Sequence, residues 1–199
     1  MEQRPPVPVR ERARRAMRAE LAMLAQDLFA AKGYEQTTIE DLVAAAGISK
    51  RTFFRYFASK EDLVLGKYDV WAERLIQAFT ARPADEPVWE SLRRAFDVVV
   101  GYFDDETQLS RTLAMEKVIQ GNPALSAGEM ERISRAQNEL AELLGQRTGQ
   151  RPPADPRPAA IAGAALACLI AAKNAWITTD RTTPFREVLD QTMAALKPA

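Results

Sequence analysis

The stretch GISKRTFFRYFASKEDL, residues 47–63, decides the fold, because it alternates aromatic and cationic side chains over a short distance. In a helix that begins after Ser49, Phe53 and Phe57 are four residues apart and share a face with Ile48. We expect this face to pack against the two preceding helices. A helix of about seven residues has little stability of its own, so its neighbours must hold it in place.

The opposite face of the same helix is cationic, polar and aromatic. The DNA major groove admits an α-helix, Arg and Lys side chains can pair with guanine, and Thr and Tyr hydroxyls can reach phosphate oxygens. Ordinary solvation of a charged helical face is the alternative explanation of this pattern. The residues expected to point away from the packed face are Lys50, Arg51, Phe54 and Arg55, with Thr52 and Tyr56 at its flanks.

A second short helix precedes this one. Apolar residues at i, i+3, i+4 and i+7 over 39–46 predict an amphipathic helix that ends at Gly47. Thr37 followed by Glu40 three residues later is the signature of a capping box. Ser49 is placed to cap the following helix. Two short helices joined by a tight turn that contains glycine are typical of a helix-turn-helix.

The remainder of the chain also has helical periodicity, and we find no strand pattern and no internal repeat. Residues 10–32 form one apolar stripe that ends at Gly33, a natural C-cap. The prolines of residues 1–9 predict a disordered arm. The predicted fold is all-α, with a DNA-binding domain over 10–58 and a helical domain over 59–199. Further helices are expected over 59–81, 88–103, 107–120, 127–147, 159–178 and 184–197.

The composition excludes several kinds of chemistry. The 199 residues include no histidine and one cysteine, Cys168, so the commonest general base and metal ligand is absent and no intrachain disulfide can form. Zinc sites and Cys–His or Ser–His nucleophile pairs are thereby excluded. Carboxylate or lysine chemistry stays open, but we expect no metal, no cofactor and no enzymatic activity. A single cysteine fits a reducing compartment. The longest apolar run, 159–172, is shorter than the roughly 20 residues that span a bilayer, and no signal peptide is visible. We expect a cytoplasmic protein without a membrane segment.

The charges divide unevenly along a chain whose formal net charge is zero. Residues 1–60 contain 11 Lys and Arg against 7 Asp and Glu, and residues 61–199 contain 16 against 20. The cationic excess in the N-terminal segment favours a polyanionic partner, although a chance distribution of surface charges would explain the same counts. Lys60 adds a cation beside the free N–H groups of the next helix, where phosphate binds readily. The helix dipole disfavours a cation there, which indicates a functional role.

Residues 33–65, GYEQTTIEDLVAAAGISKRTFFRYFASKEDLVL, resemble the DNA-binding region of the TetR (tetracycline repressor) family. The resemblance is carried by Gly33, by the pair of threonines at 37–38, by the apolar spacing up to Gly47, by residues 52–57 and by the Ser-Lys-Glu of 59–61. It implies an all-α homodimer whose three N-terminal helices bind DNA. The further helices would form a ligand-binding and dimerisation domain.

The resemblance also implies roles for single residues. Thr38 would contact phosphate, Lys50 and Arg51 would read bases, and Thr52, Tyr56 and Lys60 would hold the DNA backbone. Phe54 stands where the family often has tyrosine, so its ring remains for stacking or thymine-methyl contact while one phosphate hydrogen bond is lost. The predicted DNA-binding residues are Thr38, Ser49, Lys50, Arg51, Thr52, Phe54, Arg55, Tyr56 and Lys60.

The second half of the chain resembles the family only in its length and helices. Its large apolar side chains either pack a core or, as the resemblance implies, line a cavity with a few polar residues that orient a ligand. The candidate pocket residues are Trp71, Phe96, Phe103, Met115, Glu116, Asn174 and Trp176. The two apolar C-terminal helices fit a four-helix interface between two subunits.

The predicted function is that of a ligand-responsive transcriptional regulator, most simply a repressor. A homodimer would bind a palindromic operator in double-stranded DNA, and a small-molecule inducer would shift it towards a state that no longer fits the two half-sites. Two alternatives remain open from the residues alone. One is a helical enzyme with an incidental basic face, and the other is a helical protein-interaction adaptor that does not bind DNA.

Overall fold

The structure, a computed structural model, describes residues 9–150 and 152–196, apart from the side chains of residues 9, 11, 12, 15 and 106–108. Over this part of the chain it has ten helices and no strand, so the all-α prediction is confirmed. The helices are α1 (Val9–Lys32), α2 (Ile39–Ala46), α3 (Lys50–Tyr56), α4 (Lys60–Thr80), α5 (Val88–Ala95), α6 (Asp97–Asp104), α7 (Glu106–Gly121), α8 (Pro123–Thr148), α9 (Arg157–Thr178) and α10 (Phe185–Ala195).

The chain divides into two compact units, Met1–Gly66 and Lys67–Ala199, called here the N-terminal and C-terminal units. The N-terminal unit contains α1 to α3 and the first turns of α4, whereas the predicted domain boundary places all of α4 in the second domain. The arm predicted over residues 1–9 lies outside the described residues, except that Val9 begins α1.

Two glycines end helices of the N-terminal unit in the left-handed conformation. Gly33 has φ of 86° and donates its N–H to the carbonyl of Phe29 at 2.9 Å. Gly47 has φ of 63°, and the following N–H of Ile48 donates to the carbonyl of Val43 at 3.0 Å. Residues with a Cβ rarely adopt this conformation, so both helix ends are confirmed as glycine C-caps.

The capping box of α2 lies one residue later than the sequence predicts. Thr38 accepts from the N–H of Asp41 at 3.1 Å, and the Thr38 N–H donates to the Asp41 carboxylate at 2.8 Å. The predicted pair, Thr37 and Glu40, is therefore wrong. Thr37 is buried and donates its hydroxyl to the carbonyl of Gly33 at 2.7 Å. Adjacent threonines and adjacent carboxylates fit either register, and the burial of Thr37 decides between them.

Two helix boundaries in the C-terminal unit differ from the predictions. The helix predicted over 88–103 is interrupted at Phe96, whose ψ of −6° separates α5 from α6. The apolar pattern continues through the break because Phe96 is itself fully buried. Helix α8 begins at Pro123 instead of residue 127, with Asn122 as its N-cap, accepting from the N–H of Leu125 at 3.0 Å. Asn followed by Pro is a helix start signal, because asparagine caps the free N–H groups and proline suits the first helical position.

Helix α9 is the central helix of the C-terminal unit and packs against α8, α10 and α5. Its 22 residues have a mean hydropathy of 1.6 in their most apolar window, so by length and composition it is apolar enough to cross a membrane. In the structure its buried side chains belong to the hydrophobic core. Small residues such as Ala162, Ala165 and Ala172 are buried there, which allows neighbouring helices to approach closely.

Candidate nucleic-acid interface

Buried aromatic side chains hold helix α3 in place on one face, as predicted. Phe53 is 0% and Phe57 2% exposed, and their ring centroids lie 5.6 Å apart. Arg18 of α1 adds a contact that the sequence did not indicate: its guanidinium donates to the carbonyl of Tyr56 at 2.6 Å and lies 4.6 Å from the centre of the Phe57 ring. A cation at a helix C-terminus satisfies free carbonyls and complements the dipole. Arg18 therefore fixes the end of α3.

The other face of α3 is exposed, also as predicted. Phe54 is 51% exposed, although its ring packs edge-on against Phe53 with centroids 5.5 Å apart. The guanidinium of Arg55 lies 5.1 Å from the centre of the Tyr56 ring. Thr52 and Tyr56 are half-buried at the flanks. We call the four exposed residues of this surface the reading face; they are Lys50, Arg51, Phe54 and Arg55.

The first turn of α3 is held by Ser49, which was predicted both as a cap and as a DNA-binding residue. Its hydroxyl accepts from the N–H of Thr52 at 3.1 Å and lies 3.0 Å from the Thr52 hydroxyl. Capping by serine satisfies one of the free N–H groups at a helix start. The structure thus places Ser49 and Thr52 together at the N-terminal end of the reading face.

A shallow depression of about 340 Å³ adjoins the reading face. Thr38 at the start of α2, Phe54 of α3 and Lys60 at the start of α4 line it. The depression therefore lies beside the N-terminal ends of α2 and α4, and a helix N-terminus favours a phosphate group. Glu35 and Glu61 also line the depression and oppose an anion there.

Lys60 has partners inside the N-terminal unit that the sequence did not indicate. Its ammonium donates to the carbonyls of Tyr34 at 2.8 Å and Thr37 at 3.0 Å, and it lies 4.1 Å from the centre of the Tyr34 ring. These carbonyls offset the unfavourable helix dipole, so the position of Lys60 does not require a phosphate. An ammonium has three donors, so one N–H remains for DNA. The phosphate contact of Lys60 stays a prediction.

Lys50 forms an ion pair with Glu40 of α2. Both side chains remain more than half exposed, at 55% and 62%. The hydrogen bond from Lys50 lowers the pKa of Glu40 below its ordinary value. Lys50 therefore keeps an open approach to solvent although it has a partner within its own unit.

The candidate pocket residues of the C-terminal unit do not share one environment. Phe96, Phe103, Met115, Glu116 and Trp176 are buried, and Trp71 is half-buried. The rings of Phe103 and Trp176 pack on each other at 5.4 Å within the hydrophobic core. The structure corrects the position of Asn174, which is exposed on α9. It precedes buried Trp176 by two residues, a rotation of about 200° around a helix.

Glu116 lies at the centre of a buried charge cluster in the C-terminal unit. It is 3% exposed and accepts from Lys67 at 2.6 Å and from Lys173 at 2.7 Å. Lys173 also donates to Glu129 at 2.7 Å, and the hydroxyl of Tyr68 donates to Glu129 at the same distance. Sequence reasoning named Glu116 but none of the other residues of the cluster, because they lie on α4, α8 and α9, far away along the chain.

The charges of the cluster determine the protonation of Glu116. Burial alone opposes ionisation, but the ammonium groups of Lys67 and Lys173 outweigh it and lower the pKa of Glu116 to about 2. Nearby, the indole N–H of Trp71 is buried and has no hydrogen-bond partner among the described residues. Within the same part of the chain, no group of three or more His, Cys, Asp or Glu side chains is placed to hold a metal ion.

The fold and the reading face together define a helix-turn-helix protein of the DNA-binding class. Residues 24–66 match the family model described as bacterial regulatory proteins of the tetR family, and residues 86–199 match the model of the MftR C-terminal domain. The second match covers more than half of the chain. The chain therefore belongs to the TetR family of bacterial transcriptional regulators, which are not enzymes.

Named relatives and solved structures agree with this assignment. The chain is 33% identical over 145 residues to the HTH-type transcriptional regulator TcmR of Streptomyces glaucescens, covering 71% of this chain and 64% of TcmR. It is 26% identical to the regulator MftR of Mycobacterium tuberculosis, covering 83% of this chain and 82% of MftR. The match with TcmR thus spans 64%, less than two thirds, of the length of TcmR.

Two solved structures show the same fold. The regulator FadR of Bacillus subtilis, in complex with stearoyl-CoA, has a TM-score of 0.60 at 17% identity and covers 89% of this chain and 96% of its own. The fatty acid degradation regulator FadR of Bacillus halodurans has a TM-score of 0.61 at 18% identity, and the match covers 98% of this chain and 96% of the FadR chain.

Proposed function

We propose that this protein is an operator-binding transcriptional repressor whose affinity for DNA is controlled by a small molecule. The observation that carries the proposal is the reading face. A helix of seven residues, too short to be stable alone, is held by two buried phenyl rings while its cationic side faces solvent. Such an arrangement suits insertion into the major groove.

We further propose that the active species is a homodimer formed through α9 and α10. On α9, Ala160, Ala164, Ala167 and Ala171 recur at helical spacing and are exposed or half-buried, an apolar surface that a second copy would cover. A two-fold dimer presents two reading faces. The operator is therefore expected to be an inverted repeat with half-site centres about 34–36 Å or a multiple of that apart.

The inducer would bind in the C-terminal unit and act by population shift. It can change DNA affinity only as far as it binds the two states of the dimer differently. The unpartnered indole N–H of Trp71 offers a hydrogen bond to a carbonyl or other acceptor, and the aromatic core beside it suits an apolar body. One solved structure with this fold, FadR of Bacillus subtilis, contains stearoyl-CoA.

The proposal is tested by selecting duplexes that bind the purified protein from a randomised pool and measuring their affinity by gel shift. We expect an inverted repeat to be selected. If the dimer neutralises about eight phosphates, log K should fall with log salt with a slope near −7. Failure to select any sequence would favour the adaptor alternative. An affinity that does not change with salt would remove the electrostatic part of the proposal.

Replacing Arg51 and Lys60 separately should distinguish base reading from backbone contact. We expect Arg51→Ala to relax base preference at one operator position by about 1–3 kcal/mol. Lys60→Ala should weaken binding to all sequences by a similar factor. Because Lys60 also donates to two carbonyls, its variant must be compared at a temperature where circular dichroism shows it fully folded. Equal losses for both variants on every sequence would contradict this division of roles.

A further inference from the structure

The surface that is proposed to meet DNA carries a carboxylate. Glu40, in the first turn of α2, pairs with Lys50 of the reading face, and both side chains are more than half exposed. Neighbouring carboxylates have other partners: Asp41 closes the capping box and pairs with Lys32, and Glu61 accepts from the hydroxyl of Tyr34 at 3.0 Å. Glu40 is thus distinguished by a partner that belongs to the reading face itself.

A carboxylate at this position does not increase the affinity for DNA. Phosphates surround any helix that enters the major groove, and a like charge near them lowers binding to every sequence. It adds only modestly to stability, because an exposed ion pair contributes little to folding and a carboxylate in the first turn of a helix adds only a small favourable interaction with the helix dipole. Thr38 and Asp41 already cap α2, so Glu40 is not needed to begin the helix.

Its contact with Lys50 gives the carboxylate a physical role. A lysine side chain is long and flexible, and without a partner it can follow the nearest phosphate of any DNA. Glu40 holds the ammonium at the junction of α2 and α3 and takes one of its three donors. The remaining donors are the number needed for the O6 and N7 acceptors of one guanine.

Building on the proposed function, we propose that Glu40 is a positioning residue that sets the base specificity of Lys50. It restrains the ammonium towards a guanine edge and weakens binding to DNA that offers no guanine at that position. Specificity arises because Glu40 competes with the phosphates of every sequence for the Lys50 ammonium and leaves two donors for a guanine, so that Lys50 contributes to binding mainly where that guanine is present.

The test is Glu40→Gln, which removes the charge and keeps the side-chain size. An operator is first selected with the wild-type protein, and the base pair read by Lys50 is identified as the one at which Lys50→Gln loses discrimination. We expect Glu40→Gln to bind an unrelated duplex about two- to fivefold more tightly per subunit. It should also lose at least about fivefold in discrimination at that base pair.

Two further variants separate positioning from a general charge effect. Glu20→Gln makes the same charge change at an exposed residue of α1 and should leave discrimination unchanged. In a Lys50→Gln background, Glu40→Gln should no longer alter discrimination, because its partner is absent. If Glu40→Gln changes the affinity for every sequence by one factor, or if its effect persists without Lys50, the inference is wrong. If the wild type selects no operator, the proposed function fails as well, and this result is distinguishable from the others.

Discussion

Replacement of Glu116 by alanine is expected to destabilise the C-terminal unit by about 3–5 kcal/mol, the cost of removing one partner from a buried ion pair. Lys67 and Lys173 would lose the carboxylate that each of them contacts within 2.7 Å. Lys173 is 13% exposed, and Glu129 is the charged partner it would retain among the described residues. Urea denaturation followed by circular dichroism measures the change.

A matched control for this substitution lies in α8. Glu131 is exposed, so Glu131→Ala removes the same charge from the surface and should change the free energy of unfolding by less than about 0.5 kcal/mol. If the two variants are equally stable, the cluster does not contribute to the fold as we describe it.

The contribution of Glu116 should also depend on pH in one direction. Its pKa falls from 4.5 to about 2 on folding, so the folded state binds the proton less tightly than the unfolded state. The stabilisation is therefore fully present above the unfolded pKa and is lost as pH falls towards 2. We expect the stability difference between wild type and Glu116→Ala to shrink between pH values near 6 and near 3. A difference that stays constant over this range would contradict the assigned pKa shift.

Replacement of Phe53 by alanine is expected to destabilise the N-terminal unit by about 3–5 kcal/mol and to abolish DNA binding. Phe53 is 0% exposed and contacts Phe57 and Phe54 ring to ring. Without it, a helix of seven residues loses the contact that holds it in place. Thermal unfolding and gel shift report the two effects.

Phe54 provides a control with the same chemical change on the opposite face. Because Phe54 is 51% exposed and contacts Phe53 only edge-on, Phe54→Ala should lower the free energy of unfolding by about 0.5–1.5 kcal/mol, less than Phe53→Ala, while still weakening DNA binding. Equal destabilisation by the two alanine variants would show that α3 is not anchored through Phe53.

The N-terminal unit was predictable from sequence because its signals are local. The spacing of apolar residues over eight positions predicts helix α2, and the glycine that follows, which adopts positive φ, predicts its end. The two faces of α3 follow from the four-residue spacing of Phe53 and Phe57, since neighbours on a helix surface are close in sequence. Even here the capping box was displaced by one residue, because Thr37 and Thr38 are chemically equivalent until one of them is buried.

The C-terminal unit was predictable in its helices but not in the environment of single residues. The periodicity that predicts one helix over 88–103 does not reveal the interruption at Phe96, because the apolar pattern continues through this buried residue. Likewise, a composition that marks Asn174 as a polar residue among apolar ones does not show which side of α9 it occupies.

By itself, then, the sequence determined an all-helical chain with a short cationic helix that packs through two buried phenyl rings. It could do so because helix periodicity and glycine caps depend on residues that are a few positions apart. Only the tertiary structure decided that Lys60 binds the carbonyls before α2, that Glu40 pairs with Lys50, and that buried Glu116 pairs with two partly buried lysines. These contacts join residues on different helices, and in the buried cluster residues 49 and 57 positions apart. Charges so distant along the chain have partners only once the core has brought their helices together.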